Sequence, residues 1–237
     1  MAHRRLRRLK KPPPPITGRP ALVDRERILR AALEIGIDEL SMSSVARKLE
    51  VSTTALYRYY ASKEDLLDAC MNDFCRRISL PDADQPWQDY MAGLARSFRA
   101  ALLALPGASA YGMKVGPTTP AAFAILDEAL GVLMRAGFGA ADAWRVYAMV
   151  VDYCFSFAAK WERFEELEAE HGPGGYAVLQ LSEEALEPFP NLAATLAATG
   201  VTDFSTAESE ALFDRNIGVL LAGLTADYGP GGSGDSP

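Results

Sequence analysis

Between Val51 and Leu67 the chain reads "VSTTALYRYYASKEDLL". Tyrosines, short hydroxyl residues, an arginine and a lysine are crowded into two helical turns and a bend. These groups form hydrogen bonds and neutralise charge; they do not make or break covalent bonds. Threonine hydroxyls can bond base edges or phosphates, and their methyls can touch thymine methyls. Tyr57, Tyr59 and Lys63 suit phosphate oxygens. Thr53, Thr54 and Tyr57 stand at i, i+1 and i+4 and share one helix face, while Leu56 and Tyr60 share the opposite, inward face.

Covalent chemistry finds little support. The chain has two histidines, His3 and His171, so the commonest general base is scarce. No nucleophile–base grouping, metal cluster or cofactor fingerprint occurs, and we expect no catalytic residues, no cofactor and no metal. The three cysteines, Cys70, Cys75 and Cys154, are too few and odd in number for a disulfide framework. Cys70 and Cys75 would lie about 140° apart on a helix and read as small buried apolar residues. The glycines of "GPGGSGDSP" follow no strand and precede no helix, so they do not form a phosphate loop.

The elements that must carry these residues are helical. Residues 1–20 read as a basic, proline-rich disordered arm, residues 21–69 as a small helical head, 70–228 as a larger helical body and 229–237 as a flexible tail. The charge divides the same way. Residues 1–63 hold 14 Lys and Arg against 6 Asp and Glu, a balance of +8, and the rest holds 10 against 25, a balance of −15. A basic head on an acidic body points to nucleic acid. A hydrophobic content of 49% permits a sizeable core. The longest apolar run, Val146–Ala159, is interrupted by Asp152 and falls short of the ~20 residues a membrane helix needs. With no apolar segment after the basic N-terminus, we expect a cytoplasmic protein without a membrane partner.

"DRERILRAALEIGID" places Ile28, Ala31, Ala32 and Ile35 on one helical stripe behind an Asp24 cap. "SMSSVARKL" predicts a second helix capped by Ser41. Ser52 is expected to cap a third, running to about Tyr60, and Ser62 a fourth, running into the Met71 region. Later helices are predicted over "WQDYMAGLARSFRAALLAL", "AAFAILDEALGVLMRAGF" and one very long span from "AADAWRV" to "EELEAE". "GASAYGMKVGPTTP" reads as a loop, "SEEALEPFPNLAATLAAT" as a broken helical stretch, and "STAESEALFDRNIGVLLAGLTADY" as a last helix boxed by Ser205 and Glu208. Strand alternation is scarce, so the fold class is all-α. Two short helices joined by a tight turn, "SMSSVARKL-EV-STTALYRYY", form a helix-turn-helix whose second helix suits a major groove.

The segment Arg25–Ala69, with its "ALYRYYASKEDLL" block, closely resembles the DNA-binding domain of the TetR family of bacterial transcription regulators. The resemblance places base-reading positions on Ser43, Thr53, Thr54 and Ala55 and phosphate contacts on Tyr57, Tyr59 and Lys63. Arg19 falls where relatives reach into the minor groove, with the arm's other cations along the phosphates. Two positions depart from the family: Glu50 stands where the turn usually has glycine, and Ser43 where tetracycline repressors have a base-contacting arginine. The body resembles the ligand-binding domain of the tetracycline-repressor subgroup. That implies a homodimer joined through a four-helix bundle, from about Trp144–Glu168 and Glu208–Tyr228, on a palindromic operator.

The resemblance also implies a cavity lined by Phe98, Tyr111, Met113, Pro117, Leu126 and Leu130. On the long helix, Trp144, Tyr147, Val151 and Phe155 form one apolar stripe, which we assign to the cavity. Val146, Val150, Tyr153 and Phe157 form another, assigned to the dimer interface. The expected effector is small and lipophilic. Tetracycline itself is disfavoured, because Leu94 stands at the asparagine position and "YGMKVGP" lacks the metal-binding histidine. Asp152 is a candidate partner for a cationic group. The rival readings are an acidic helical adaptor for protein partners and a small α-helical enzyme. We expect a ligand-responsive transcriptional repressor that the effector releases from its operator; activation in place of repression is not distinguished by the sequence.

Overall fold

A computed structural model of the chain describes residues 23–172, 186–199 and 206–229. The expected arm, including Arg19, the Ser205 cap and the tail beyond Gly229 lie outside them. The described residues are helical, with no strand among them.

The head comprises α1 (Arg25–Ile35), α2 (Met42–Leu49) and α3 (Thr53–Leu56) and leans on α4 (Lys63–Arg77). Asp24 caps α1 by accepting from the Arg27 N–H at 2.7 Å. Ser41 and Ser44 close a reciprocal box on α2, each hydroxyl accepting from the other's backbone N–H at 2.9 Å. Ile28, Ala32, Val45, Leu56, Tyr60 and Leu66 are buried together as the centre of the head. Burying one such side chain contributes about 1.5–3 kcal/mol, so the cluster holds the short helices that propensity alone would not.

The body comprises α5 (Trp87–Leu103), α6 (Ala108–Val115), α7 (Pro120–Arg135), α8 (Ala140–His171), α9 (Pro190–Thr199) and α10 (Thr206–Tyr228). α8 spans 32 residues, about 48 Å at ~1.5 Å per residue, and packs against α5, α6, α7 and α10. α10 lays Phe213, Ile217, Leu221 and Leu224 inward, with Phe213 stacked on Tyr153 at 5.6 Å and edge-on to Phe157 at 5.0 Å. Arg99 of α5 is only 9% exposed. It donates to Ser209 and Glu210 and lies over the Phe157 and Phe213 rings, fastening α5 to α10.

Three expectations are corrected. "GASAYGMKVGPTTP" is not all loop: Ala108–Val115 form α6 between Gly107 and Gly116, whose φ values of 78° and 68° let the chain enter and leave abruptly. The glycines read as loop signals are its terminal punctuation. The third helix ends at Leu56, not Tyr60; Tyr57–Tyr59 continue as a turn, and the Ser52 hydroxyl makes no cap hydrogen bond. The second stripe of α8 divides: Val146 and Val150 are fully buried within the subunit and cannot reach a partner, whereas Tyr153 and Phe157 pack against Phe213 and stay partly exposed.

Candidate DNA interface and effector cavity

The turn between α2 and α3 sets the exposed surface of the head. Glu50 adopts φ 55°, ψ 41°, and its N–H reaches back to the Ala46 and Arg47 carbonyls. This is the left-handed conformation that glycine enters without cost. A Cβ there costs about 1 kcal/mol, partly offset because glycine frees the unfolded chain by about 0.4–1 kcal/mol. Glu50→Gly should therefore stabilise the protein by about 0.5 kcal/mol and raise Tm by about 1–2 °C. Glu50→Val, β-branched, should lower it; paired thermal melts decide.

Past this turn, Thr54 of α3 and Tyr57 just beyond its end are exposed, Tyr57 at 53%, while Thr53 and Ala55 are half-buried and Leu56 is buried beneath. Ser43 on α2 is exposed beside them in sequence order, and Lys63 is exposed at the first turn of α4. Arg47 and Arg58 are exposed as well. Neither was singled out in the sequence, though Arg58 sits inside the quoted block between two chosen tyrosines. Among the described residues neither forms an ion pair, and both are cations available to phosphates. Lys48 is not, being held by Glu34 at 3.0 Å.

Tyr59 departs from expectation. It is half-buried, and its hydroxyl donates to the Val23 carbonyl at 2.7 Å. That proton is spent, so Tyr59 has none to give a phosphate. Its backbone carbonyl accepts from Arg25 at 2.6 Å, and Arg25 also lies over the Tyr60 ring at 4.2 Å. Tyr60 donates to the Arg25 carbonyl at 3.2 Å, and burial raises its phenol pKa. The two tyrosines thus bolt the end of α3 to the start of α1, which fixes the direction of the exposed threonines.

The cavity lies between α4, α5, α6 and α8, with a volume of about 190 Å³. Of ten expected wall residues it has seven: Phe98, Met113, Pro117, Trp144, Tyr147, Val151 and Phe155. Tyr111, Leu126 and Leu130 are not walls. Because α6 is a helix, Gly112 is buried against the cavity and Met113, largely exposed, stands at its rim, while Tyr111 lies towards Asp68 and Glu64 of α4. Leu126 and Leu130 are half-buried on α7, whose contribution is Ala122 instead. The walls that were missed are chiefly Met71, Phe74 and Cys75 of α4. Phe74 meets Phe98 edge-on at 6.4 Å, and Phe98 meets Phe155 at 6.2 Å. Gly112 lets Phe155 approach so closely that a Cβ there would stand 2.4 Å from its Cε1. Burial raises the Tyr147 and Cys75 pKa values, keeping both groups neutral.

One helix belongs to both places. α4 begins at Lys63, beside the exposed threonines, and carries Met71, Phe74 and Cys75 into the cavity wall. The boundary expected between residues 69 and 70 falls inside it.

The family model described as "Bacterial regulatory proteins, tetR family" matches residues 28–70. The model described as "Tetracyclin repressor-like, C-terminal domain" matches residues 80–228. The tetracycline repressor protein class A from transposon 1721 of Escherichia coli is 31% identical over 204 residues, covering 83% of this chain and 88% of that one. A possible TetR family transcriptional regulator from Streptomyces coelicolor A3(2) superposes with a TM-score of 0.64 at 30% identity, covering 86% and 99% of the two chains. The fold is also that of the Streptomyces coelicolor TetR family protein ActR in complex with actinorhodin, with a TM-score of 0.69 at 22% identity, covering 88% and 98%.

Proposed function

Because the chain belongs to the tetR family of bacterial regulatory proteins, we propose that it works as a ligand-responsive repressor in which α4 is the moving part. The carrying observation is that this helix runs from exposed Lys63, next in sequence to the helix-turn-helix, to Met71, Phe74 and Cys75 of the cavity wall. The protein is a DNA-binding transcriptional repressor, not an enzyme. Thr53, Thr54, Ala55 and Ser43 read base edges; Tyr57, Lys63, Arg58 and Arg47 hold phosphates; Arg19 lies in the arm, where its charge suits a minor groove. Tyr59 takes a positioning role instead. The chain acts as a homodimer through α8 and α10, whose outward side carries Leu212 and Val219, the latter 70% exposed. Dimerisation sets two copies of α3 about 34–36 Å apart, one turn of B-DNA. No helix among the described residues is long and apolar enough to cross a membrane, which together with a DNA partner supports a cytoplasmic location.

The effector is small and lipophilic. A volume of 190 Å³ is below the roughly 300 Å³ at which drug-sized pockets begin, so a ligand has to part the rings that close it. Phe74 is the ring carried on α4, and its displacement moves Lys63 and the base of α3. Such a ligand prefers the DNA-released arrangement, and by linkage operator DNA weakens ligand binding by the same factor. Relatives are named for tetracycline and one structure holds actinorhodin. Here Leu94 is fully buried and no histidine lines the cavity, which supports an effector held without a metal.

In vitro selection of bound duplexes tests the DNA reading and should return an inverted repeat. Thr53→Ala should then alter base preference at the half-site. Lys63→Ala should weaken all duplexes alike and reduce the salt slope by about 2 per dimer, one phosphate contact per subunit. A Thr53→Ala protein selecting an unchanged site would refute the placement of α3.

A further inference from the structure

We propose that the effector is a lipophilic cation, a molecule with one protonated nitrogen, and that Asp152 is its counter-ion. This rests on the cavity being the effector site. Fifteen residues line it, and Asp152 alone among them carries a formal charge; no lysine, arginine or histidine is present. Tyr147 and Cys75 are held neutral by burial. The remaining walls are aliphatic, aromatic or backbone. A cavity of this kind discriminates by charge at one point and by shape everywhere else.

Asp152 is exposed at the rim and has no hydrogen bond or ion pair among the described residues. The nearest cation on its own helix stripe, Arg145, is held by Asp142 at 2.7 Å. Lys114 of α6 is exposed and is not a wall residue. The carboxylate is therefore satisfied by water until a ligand seats. An apolar ligand with no donor would displace part of that water without replacing its hydrogen bonds, which disfavours it. An anion would be repelled. An ammonium group replaces the water and gains a charge-assisted hydrogen bond. Trp144, 48% exposed and two helical turns away, adds an aromatic face suited to a flat ring at the ligand's other end. The hydrocarbon portion would rest against Phe98, Val151 and Phe155.

Three probes of similar length separate the possibilities: 4-phenylbutylamine, 4-phenylbutanol and 4-phenylbutyrate, titrated by calorimetry into the full chain. The amine should bind up to about fivefold more tightly than the alcohol, and the acid more weakly still. Asp152→Asn should bring the amine down to the alcohol's affinity, and Asp152→Glu should keep the preference. Equal binding of amine and alcohol, a preference that persists in Asp152→Asn, or no binding of any probe overturns the assignment. A gel shift on the selected duplex tells this failure from failure of the regulator reading. Charge-selective, Asp152-dependent binding that never releases DNA would fault the latter. Release by the alcohol as readily as by the amine would fault the former.

Discussion

Phe74→Ala should destabilise the protein by about 3–5 kcal/mol, lowering Tm by on the order of 10 °C, and should also uncouple ligand from DNA. Phe74 is 3% exposed and packs its ring against Phe98, so truncation forfeits both transfer energy and contacts around the space left behind. The same space removes the reason for α4 to move. A ligand that enters a cavity already wide enough binds both arrangements of α4 equally, and a ligand with equal affinity for two states shifts neither. The variant should bind small lipophilic probes at least as tightly as the parent yet release operator DNA poorly. Gel shifts with and without ligand, at a temperature where the variant remains folded, measure this. Full release by the variant would show that Phe74 is not the transmitting contact. Phe74→Leu, with less volume lost, should fall between.

Gly112→Ala should do the reverse, shutting the cavity and yielding a repressor that ligand does not release. The added methyl would stand 2.4 Å from Phe155 Cε1 and 2.8 Å from Cζ. Phe155 cannot simply turn aside, since its ring is backed by Phe98 at 6.2 Å. Either α6 rides outward or the ring is driven into the 190 Å³ the ligand needs. Overpacking of this kind costs about 1–3 kcal/mol. Ligand affinity should fall tenfold or more, because the ligand must now reopen the space against that strain, while DNA affinity in the absence of ligand should stay near the parent's. An unaltered ligand titration would mean that the ligand sits elsewhere.

The head was legible in the sequence because its signals are local. Asp24, Ser41 and Ser62 cap where hydroxyl and carboxylate chemistry requires, and the Glu50 departure could be read as left-handed strain before any coordinates. Tyr59 was misread because a tyrosine's donor is assigned by tertiary partners, here the Val23 carbonyl 36 residues away. The cavity was half legible for the same reason. Trp144, Tyr147 and Val151 follow from helical periodicity along α8. Met71, Phe74 and Cys75 did not, because inward residues of α4 look alike whether they fill a core or line a hollow. In α6, glycine and proline outweighed the helix formers between them; Tyr111 was placed by resemblance alone, and the helix turns it towards α4.

The shared helix also bears on how such proteins can be rebuilt. A DNA-reading head transplanted from one relative to another is usually imagined as joined at a linker, where sequence hardly matters. In this chain the natural seam runs through α4, between Lys63 on one side and Cys70, Met71 and Phe74 on the other. A chimaera must splice inside a packed helix and repack those side chains against α5 and α7, so specificity for DNA and response to ligand are inherited together, not as interchangeable modules.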